Sequence, residues 1–233
     1  MIALGLPLQA DEKKYVPEEG SAELDKKRNK RGKPSIDPKL PFVLIIGDSI
    51  SIGYTGTARS QLEGNANVLH NPGNSQGTTH GLANIDEWLA AQKWDVIHFN
   101  SGLHDLKRVT EAGTSNNSND PEDPYQADLE TYSTNLKKIV EKLKATEAKL
   151  IFATTTPFPE GVRPYRSPED AGNYNAAALK IMKENGIEVN DLHALVLTDL
   201  ETLQKPVNVH FHPEGSELMG KQVAQRIASA LGQ

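Results

Sequence analysis

The sequence predicts one α/β domain, and three observations lead there. Short apolar runs alternate with helical stripes from residue 41 onward. The first of these runs is uninterrupted, as in strands covered on both faces. The chain has 233 residues, of which 37% are apolar and 24% charged, enough for one large core. Residues 42–46 (FVLII) stop at Gly47 and read as the first strand. Ile50, Tyr54, Ala58 and Leu62 then recur every four residues and predict a helix. Residues 67–70 are a second strand, and Leu82, Ile85, Trp88 and Leu89 form a helical stripe. Residues 95–99 (DVIHF) are a third strand. Leu129, Tyr132, Leu136, Ile139, Val140 and Leu143 mark the clearest amphipathic helix. Residues 150–153 are a fourth strand, and residues 174–185 are a helix stopped by Gly186. Residues 187–189 are a brief fifth strand, 191–203 are helical, and 213–231 are a closing helix with Met219, Val223, Ile227 and Leu231 on one face. Strands alternating with helices imply βαβ units. The expected architecture is a single three-layer α/β/α sandwich whose mostly parallel, flavodoxin-like sheet has about five strands.

Composition removes several classes of function. A net charge of −6 argues against general nucleic-acid binding. No stretch approaches the roughly 20 apolar residues of a membrane span. The absence of cysteine excludes disulfides, thiolate metal sites and thiol catalysis. Residues 1–10 (MIALGLPLQA) read as the remnant of a signal peptide, so a secreted or periplasmic protein is expected. Residues 11–40 are a polar lead-in arm whose basic run, Lys26 to Lys33, is offset by the acids before it. The domain proper is residues 41–233.

In open α/β sheets, sites form beyond the carboxyl ends of the strands. Those positions hold Gly47-Asp48-Ser49-Ile50-Ser51, then Asn71 to Thr79, then Asn100 to Asp105, then Thr154 to Pro157. The last helix is preceded by Val207-Asn208-Val209-His210-Phe211-His212. No phosphate loop, GxGxxG, HExxH or GxSxG motif occurs. A serine, glycines and histidines on one edge suit acyl transfer. A serine hydroxyl needs a base, and His210 can supply one. The oxyanion needs preorganised donors: the Ser49 N–H at a helix start and the N–H of Gly77 are candidates, with Gly73 competing for the latter role. Nothing in this chemistry calls for a metal or cofactor.

These blocks resemble those of the SGNH hydrolases, also called the GDSL esterase/lipase family, in order and over about residues 41–231. Gly47-Asp48-Ser49 matches the nucleophile block, and Gly77-Thr78-Thr79 the oxyanion-glycine block. Gly102-Leu103-His104-Asp105 stands where the family has Gly-x-Asn-Asp. Val207-Asn208-Val209-His210 stands where it has Asp-x-x-His. The resemblance implies Ser49 as nucleophile and His210 as base, with Ser49, Gly77 and His104 as oxyanion donors.

Two departures stand out. His104 replaces the family's asparagine, and its ring N–H could donate in the same place. Val207 replaces the aspartate that orients the base. That task is then open among Asn208, Asp105 and Asp191, or the site runs as a Ser–His dyad. The function expected is hydrolysis of a small acyl ester, with O-acetyl groups on a carbohydrate as the substrate class. A non-catalytic glycan-binding relative and a thioesterase or lysophospholipase are the alternatives. Trp88, Trp94, Tyr54, Phe158 and Tyr165 are available as pocket walls, and Arg163 and Arg166 could meet an acidic sugar.

Overall fold

The computed structural model of the protein describes residues 36–233. The expected signal remnant at 1–10, and the polar arm up to residue 35, lie outside the described residues. The elements run β1 (Phe42–Ile46), α1 (Ser49–Gln61), β2 (Asn67–His70), α2 (Thr78–Ala90), β3 (Val96–Phe99), α3 (Leu129–Lys144), β4 (Lys149–Ala153), α4 (Pro168–Asn185), β5 (Glu188–Asn190), α5 (Leu192–Leu197), α6 (Leu200–Leu203) and α7 (Pro213–Leu231). The five strands form one sheet in the order β2-β1-β3-β4-β5. Every pairing is parallel, as expected for buried apolar strands joined by helices.

This order follows from two crossovers of opposite sense. After β1 the chain moves outward to β2; after β2 it crosses back over β1 to β3. Right-handed connections then place α1 on one face and α2, α3 and α4 on the other. Helix α7 returns to pack on α1, and α2 packs on α3. The sheet is thereby covered on both sides, and Val43, Ile45, Val96, Ile97, Ile151 and Phe152 are fully buried. Beyond the carboxyl ends of β1 and β3 the connections diverge to opposite faces, and this opens the crevice where such folds bind ligands.

Two helices differ from the sequence reading. Helix α4 begins at Pro168 rather than near residue 174, with Ser167 at its N-cap position and Glu169 and Asp170 in its first turn. The apolar periodicity starts only at Tyr174, but the Pro-Glu-Asp opening is itself a start signal. The stretch 191–203 is two short helices, α5 and α6, broken at Thr198–Asp199.

Helices α1 and α7 approach closely because small residues meet at their contact. A Cβ on Gly220 would lie 2.6 Å from Thr57 Cβ and 2.7 Å from the Tyr54 carbonyl oxygen. Gly220→Ala gains up to about 1 kcal/mol in helix propensity. It costs about 1–3 kcal/mol in overpacking, and a backbone carbonyl cannot swing away. We expect a net loss of stability in thermal denaturation; a melting temperature at or above that of the parent would contradict this packing.

Candidate active site

Ser49 is the first residue of α1, directly beyond β1. Asp48 holds it there: the N-cap carboxylate accepts the Ile50 N–H at 2.9 Å. The preceding Gly47 donates its N–H to Asn71 Oδ1 at 3.0 Å, and its carbonyl accepts the Ser75 N–H at 3.0 Å. These bonds tie the end of β1 to the loop after β2. The same block contains a second serine near a histidine, with Ser51 Oγ 2.7 Å from His70 Nε2. Ser51 is enclosed at 1% exposure, whereas Ser49 is half-buried and reaches solvent.

Ser49 Oγ lies 2.8 Å from His210 Nε2. The loop carrying His210 is pinned from behind. Lys205 N–H donates to the His210 carbonyl, and His212 N–H to that of Leu203. The buried Gln204 amide donates to the carbonyls of Pro157 and Val209. On its other side the His210 ring contacts Asn208, with Nδ1 2.8 Å from Oδ1. The backbone N–H of His210 also donates to that Oδ1, at 2.9 Å. A backbone N–H can only donate, so the Asn208 atom is the carbonyl oxygen and Nδ1 must carry a proton. In the neutral ring Nε2 is then the bare nitrogen, facing the Ser49 hydroxyl as an acceptor.

The other candidates for orienting His210 are bonded elsewhere. Asp105 Oδ1 accepts from the N–H and the hydroxyl of Thr78. Asp191 caps α5 at Ala194 and accepts from Thr154 Oγ1. Val207, at the family's aspartate position, is 61% exposed and has φ of +48°. That left-handed conformation is strained for a β-branched residue. Its side chain lies at the surface, and the residue that meets His210 is the next one along.

Gly77 and His104 come together through Asp105. Gly77 is the N-cap of α2, and a Cβ there would lie 2.9 Å from Asp105 Oδ1. Thr78, bonded to the same carboxylate, fixes the helix start against the loop that carries His104. Gly73, by contrast, sits at φ +64° with nothing near its Cβ position, so it is a turn glycine. Gly102 at φ +141° has Thr155 Oγ1 against its Cβ position, which only glycine permits. Burial, helped by the Lys107 and Arg166 cations, pushes the His104 imidazole down to about 3, so the ring is neutral at ordinary pH. Its Nδ1 is buried with no partner among the described residues. Burial lifts the Asp105 carboxyl to about 7 against the two Thr78 bonds that pull it down.

Several other expected roles fall to different positions. Arg166 is buried, with its guanidinium donating to the Leu103 and Pro164 carbonyls, so it braces the His104 loop; Arg163 is exposed. Trp88, Trp94, Tyr54 and Phe158 belong to the buried core and are not exposed walls for a substrate, because each is at most 6% exposed. Asn100 bonds across to the Ala153 carbonyl, and His212 is the N-cap of α7. Among the described residues no cluster of three ligating side chains suits a metal ion. The sequence reading missed Asn71, Thr78 and Gln204. Single polar residues carry no pattern: Asn71 and Gln204 satisfy backbone groups, and the Thr78 hydroxyl donates to the Asp105 carboxylate.

A half-buried serine hydrogen-bonded to an imidazole of fixed tautomer, beside helix-start N–H groups, defines a serine hydrolase site. The comparisons agree. Residues 45–218 match the GDSL-like Lipase/Acylhydrolase family, and the chain belongs to that family. It is a carboxylic ester hydrolase of the GDSL type. The fold is similar to that of a lipase/acylhydrolase from Enterococcus faecalis (17% identity, TM-score 0.67, covering 82% of this chain and 96% of that one). It is also similar to a catalytic mutant of an acetylxylan esterase from Geobacillus stearothermophilus (17%, 0.66, 80% and 94%). A GDSL-like lipase from Bacteroides thetaiotaomicron is a third (17%, 0.61, 90% and 98%). No curated protein sequence matches the chain. Among the described residues no helix is long and apolar enough to cross a membrane.

The Asp105 carboxyl gives a pH signature. Its folded value of about 7 exceeds the ordinary 3.8, so the native state retains a proton that the unfolded chain releases. Stability from that proton is complete below about pH 4 and is lost as pH rises through 7. Asp105→Asn should therefore gain on the parent in urea midpoint between pH 4 and 7. A difference that stays flat across that range would contradict the assignment.

Proposed function

We propose that the enzyme removes small acyl groups, and specifically O-acetyl groups, from a carbohydrate through a Ser49 acyl-enzyme. The observation that carries the reading is the chain Ser49 Oγ, His210 Nε2, His210 Nδ1, Asn208 Oδ1, with both contacts at 2.8 Å. In the first step Ser49 Oγ attacks the ester carbonyl and its proton passes to Nε2. The carbonyl oxygen gains the negative charge and accepts from the N–H groups of Ser49 and Gly77 and from His104 Nε2. The tetrahedral intermediate then collapses, the bond between the acyl carbon and the sugar oxygen breaks, and the imidazolium gives its proton to that oxygen, which leaves as a hydroxyl. Water repeats the sequence on the acyl-enzyme, releasing acetate and restoring Ser49.

Two observations favour a short acyl group on a polar alcohol. The large apolar residues exposed among those described, Ile36, Leu129, Leu179, Leu197 and Val207, are scattered singly, so no apolar surface for a long chain stands out. The fold's likeness to an acetylxylan esterase points to acetylated glycans as the first substrates to try.

Asn208 is given the positioning role that a carboxylate has in most triads. Where asparagine replaces the aspartate of a serine protease triad and leaves the wrong tautomer, about 10⁴ in turnover is lost. Here the backbone N–H of His210 holds the amide oxygen toward the ring, so the correct tautomer is kept and only the charge is missing.

The test is hydrolysis of 4-nitrophenyl acetate and acetylated xylo-oligosaccharides, with fluorophosphonate labelling. Ser49→Ala should abolish labelling and cut turnover by about 10⁴–10⁶. Asn208→Ala should cost about 10², while Asn208→Asp should match or exceed the parent, because a negative charge steadies the imidazolium. Val207→Asp should leave turnover unchanged. An intact, folded protein that neither labels nor turns over would favour the glycan-binding alternative. Full activity in Ser49→Ala would remove the mechanism.

A further inference from the structure

Directly behind the nucleophile block lies a small cavity of about 10 Å³, drawn from the ends of β1, β3 and β4 and from α1 and α5. Its walls include Asp48, Tyr54 and Thr156, with Ile50, Leu103 and Leu192 supplying apolar surface. Three polar atoms of these residues have no hydrogen-bond partner among the described residues: Asp48 Oδ2, the Tyr54 hydroxyl and Thr156 Oγ1. Their residues are 1%, 1% and 3% exposed, so bulk solvent does not serve them. The neighbouring polar groups are already satisfied. Ser51 Oγ donates to the Asp48 carbonyl, Thr155 Oγ1 to that of Ser101, and Asn100 Nδ2 to that of Ala153. Among the residues that line this cavity, unmet hydrogen-bonding capacity is thus concentrated in three atoms.

An unsatisfied buried polar atom costs about 1–3 kcal/mol, and three around one cavity of this size are unusual in a folded protein. The volume is at the lower limit for a single water, which typically makes about three hydrogen bonds when buried. The chemistry of the walls matches. A phenol can donate, a carboxylate can only accept, and a threonine hydroxyl can do either. A cation would find one charged ligand and no other anion on these walls, and an anion would face the Asp48 carboxylate.

We propose that this cavity binds one structural water, which bridges Asp48 Oδ2, Tyr54 and Thr156 and thereby positions Asp48 beneath the nucleophile. The water accepts from the Tyr54 hydroxyl, donates to Asp48 Oδ2 and exchanges a bond with Thr156 Oγ1. Asp48 Oδ1 is already held by the Ile50 N–H at 2.9 Å. With the water on Oδ2, both carboxylate oxygens are fixed, and with them the helix start that presents Ser49. Arg166 acts on the same carboxyl from a distance and favours its charged form, against burial, which pushes the carboxyl up.

The experiment has two readouts. A high-resolution crystal structure of the parent enzyme should show a water about 2.7–3.2 Å from all three atoms. The double variant Tyr54→Phe and Thr156→Val keeps the shape and removes two of the three partners. It should lack that water and show a kcat about fivefold lower on 4-nitrophenyl acetate, with KM unchanged. The kinetic readout rests on the role proposed for Ser49, whereas the crystallographic one does not, so the two readings can fail separately. A dry cavity in the parent, or parental kcat in a double variant that has lost the water, would overturn the proposal. Should the double variant not fold, the parent structure decides alone.

Discussion

Where the strands of this sheet end, their ladder ends too, and short polar side chains must take over the backbone N–H groups. Asn71 accepts from Gly47, Asp48 from Ile50, Asp105 from Thr78 and Asn208 from His210. Two of these bonds close a single loop of the catalytic edge and two join one loop to another, and each places one element of the site. An orphan buried N–H is costly, so these acceptors are needed for folding whatever the chemistry. The geometry of catalysis is built on that requirement. The bond that holds the His210 backbone is made by the atom that also receives its ring proton.

The electrostatics follow from burial. Desolvation raises the carboxyls of Asp48 and Asp105 and lowers the imidazole of His104, so each group is pushed toward its neutral form. Arg166 opposes this at Asp48, and its own guanidinium, lowered to about 10 by burial, remains charged. These buried groups give low-dielectric surroundings beside the half-buried Ser49. In such surroundings preorganised donors act more strongly on a developing oxyanion than they would in bulk solvent.

Much of this was legible in the sequence because apolar periodicity reports burial. The five strands and the closing helix fall within a residue of where the pattern places them. The apolar pattern shortens helix α4 because its first turn is polar, and it joins 191–203 because Thr198 and Asp199 do not interrupt an apolar stripe strongly. The pairing of Ser49 with His210, 161 residues apart, followed from block order and not from spacing. What could not be read was which neighbour meets Nδ1. Asn208, Asp105 and Asp191 are all plausible by type, and the residue that meets the ring is Asn208, directly after the left-handed turn at Val207. Four of the five aromatics expected on a pocket wall, Tyr54, Trp88, Trp94 and Phe158, are core residues for a related reason: composition counts rings but does not say which of them the core takes.

The central claim is that Asn208 holds His210 as the neutral Nδ1–H tautomer, leaving Nε2 bare toward Ser49. Nitrogen NMR of the imidazole in the ¹⁵N-histidine-labelled enzyme reads this directly above the pKa of the base. The His210 signals should show a protonated Nδ1 and an unprotonated Nε2, and Asn208→Ala should shift the balance toward the Nε2–H form that predominates in free histidine. An Nε2–H ring in the parent enzyme, or a tautomer indifferent to Asn208, would contradict the account.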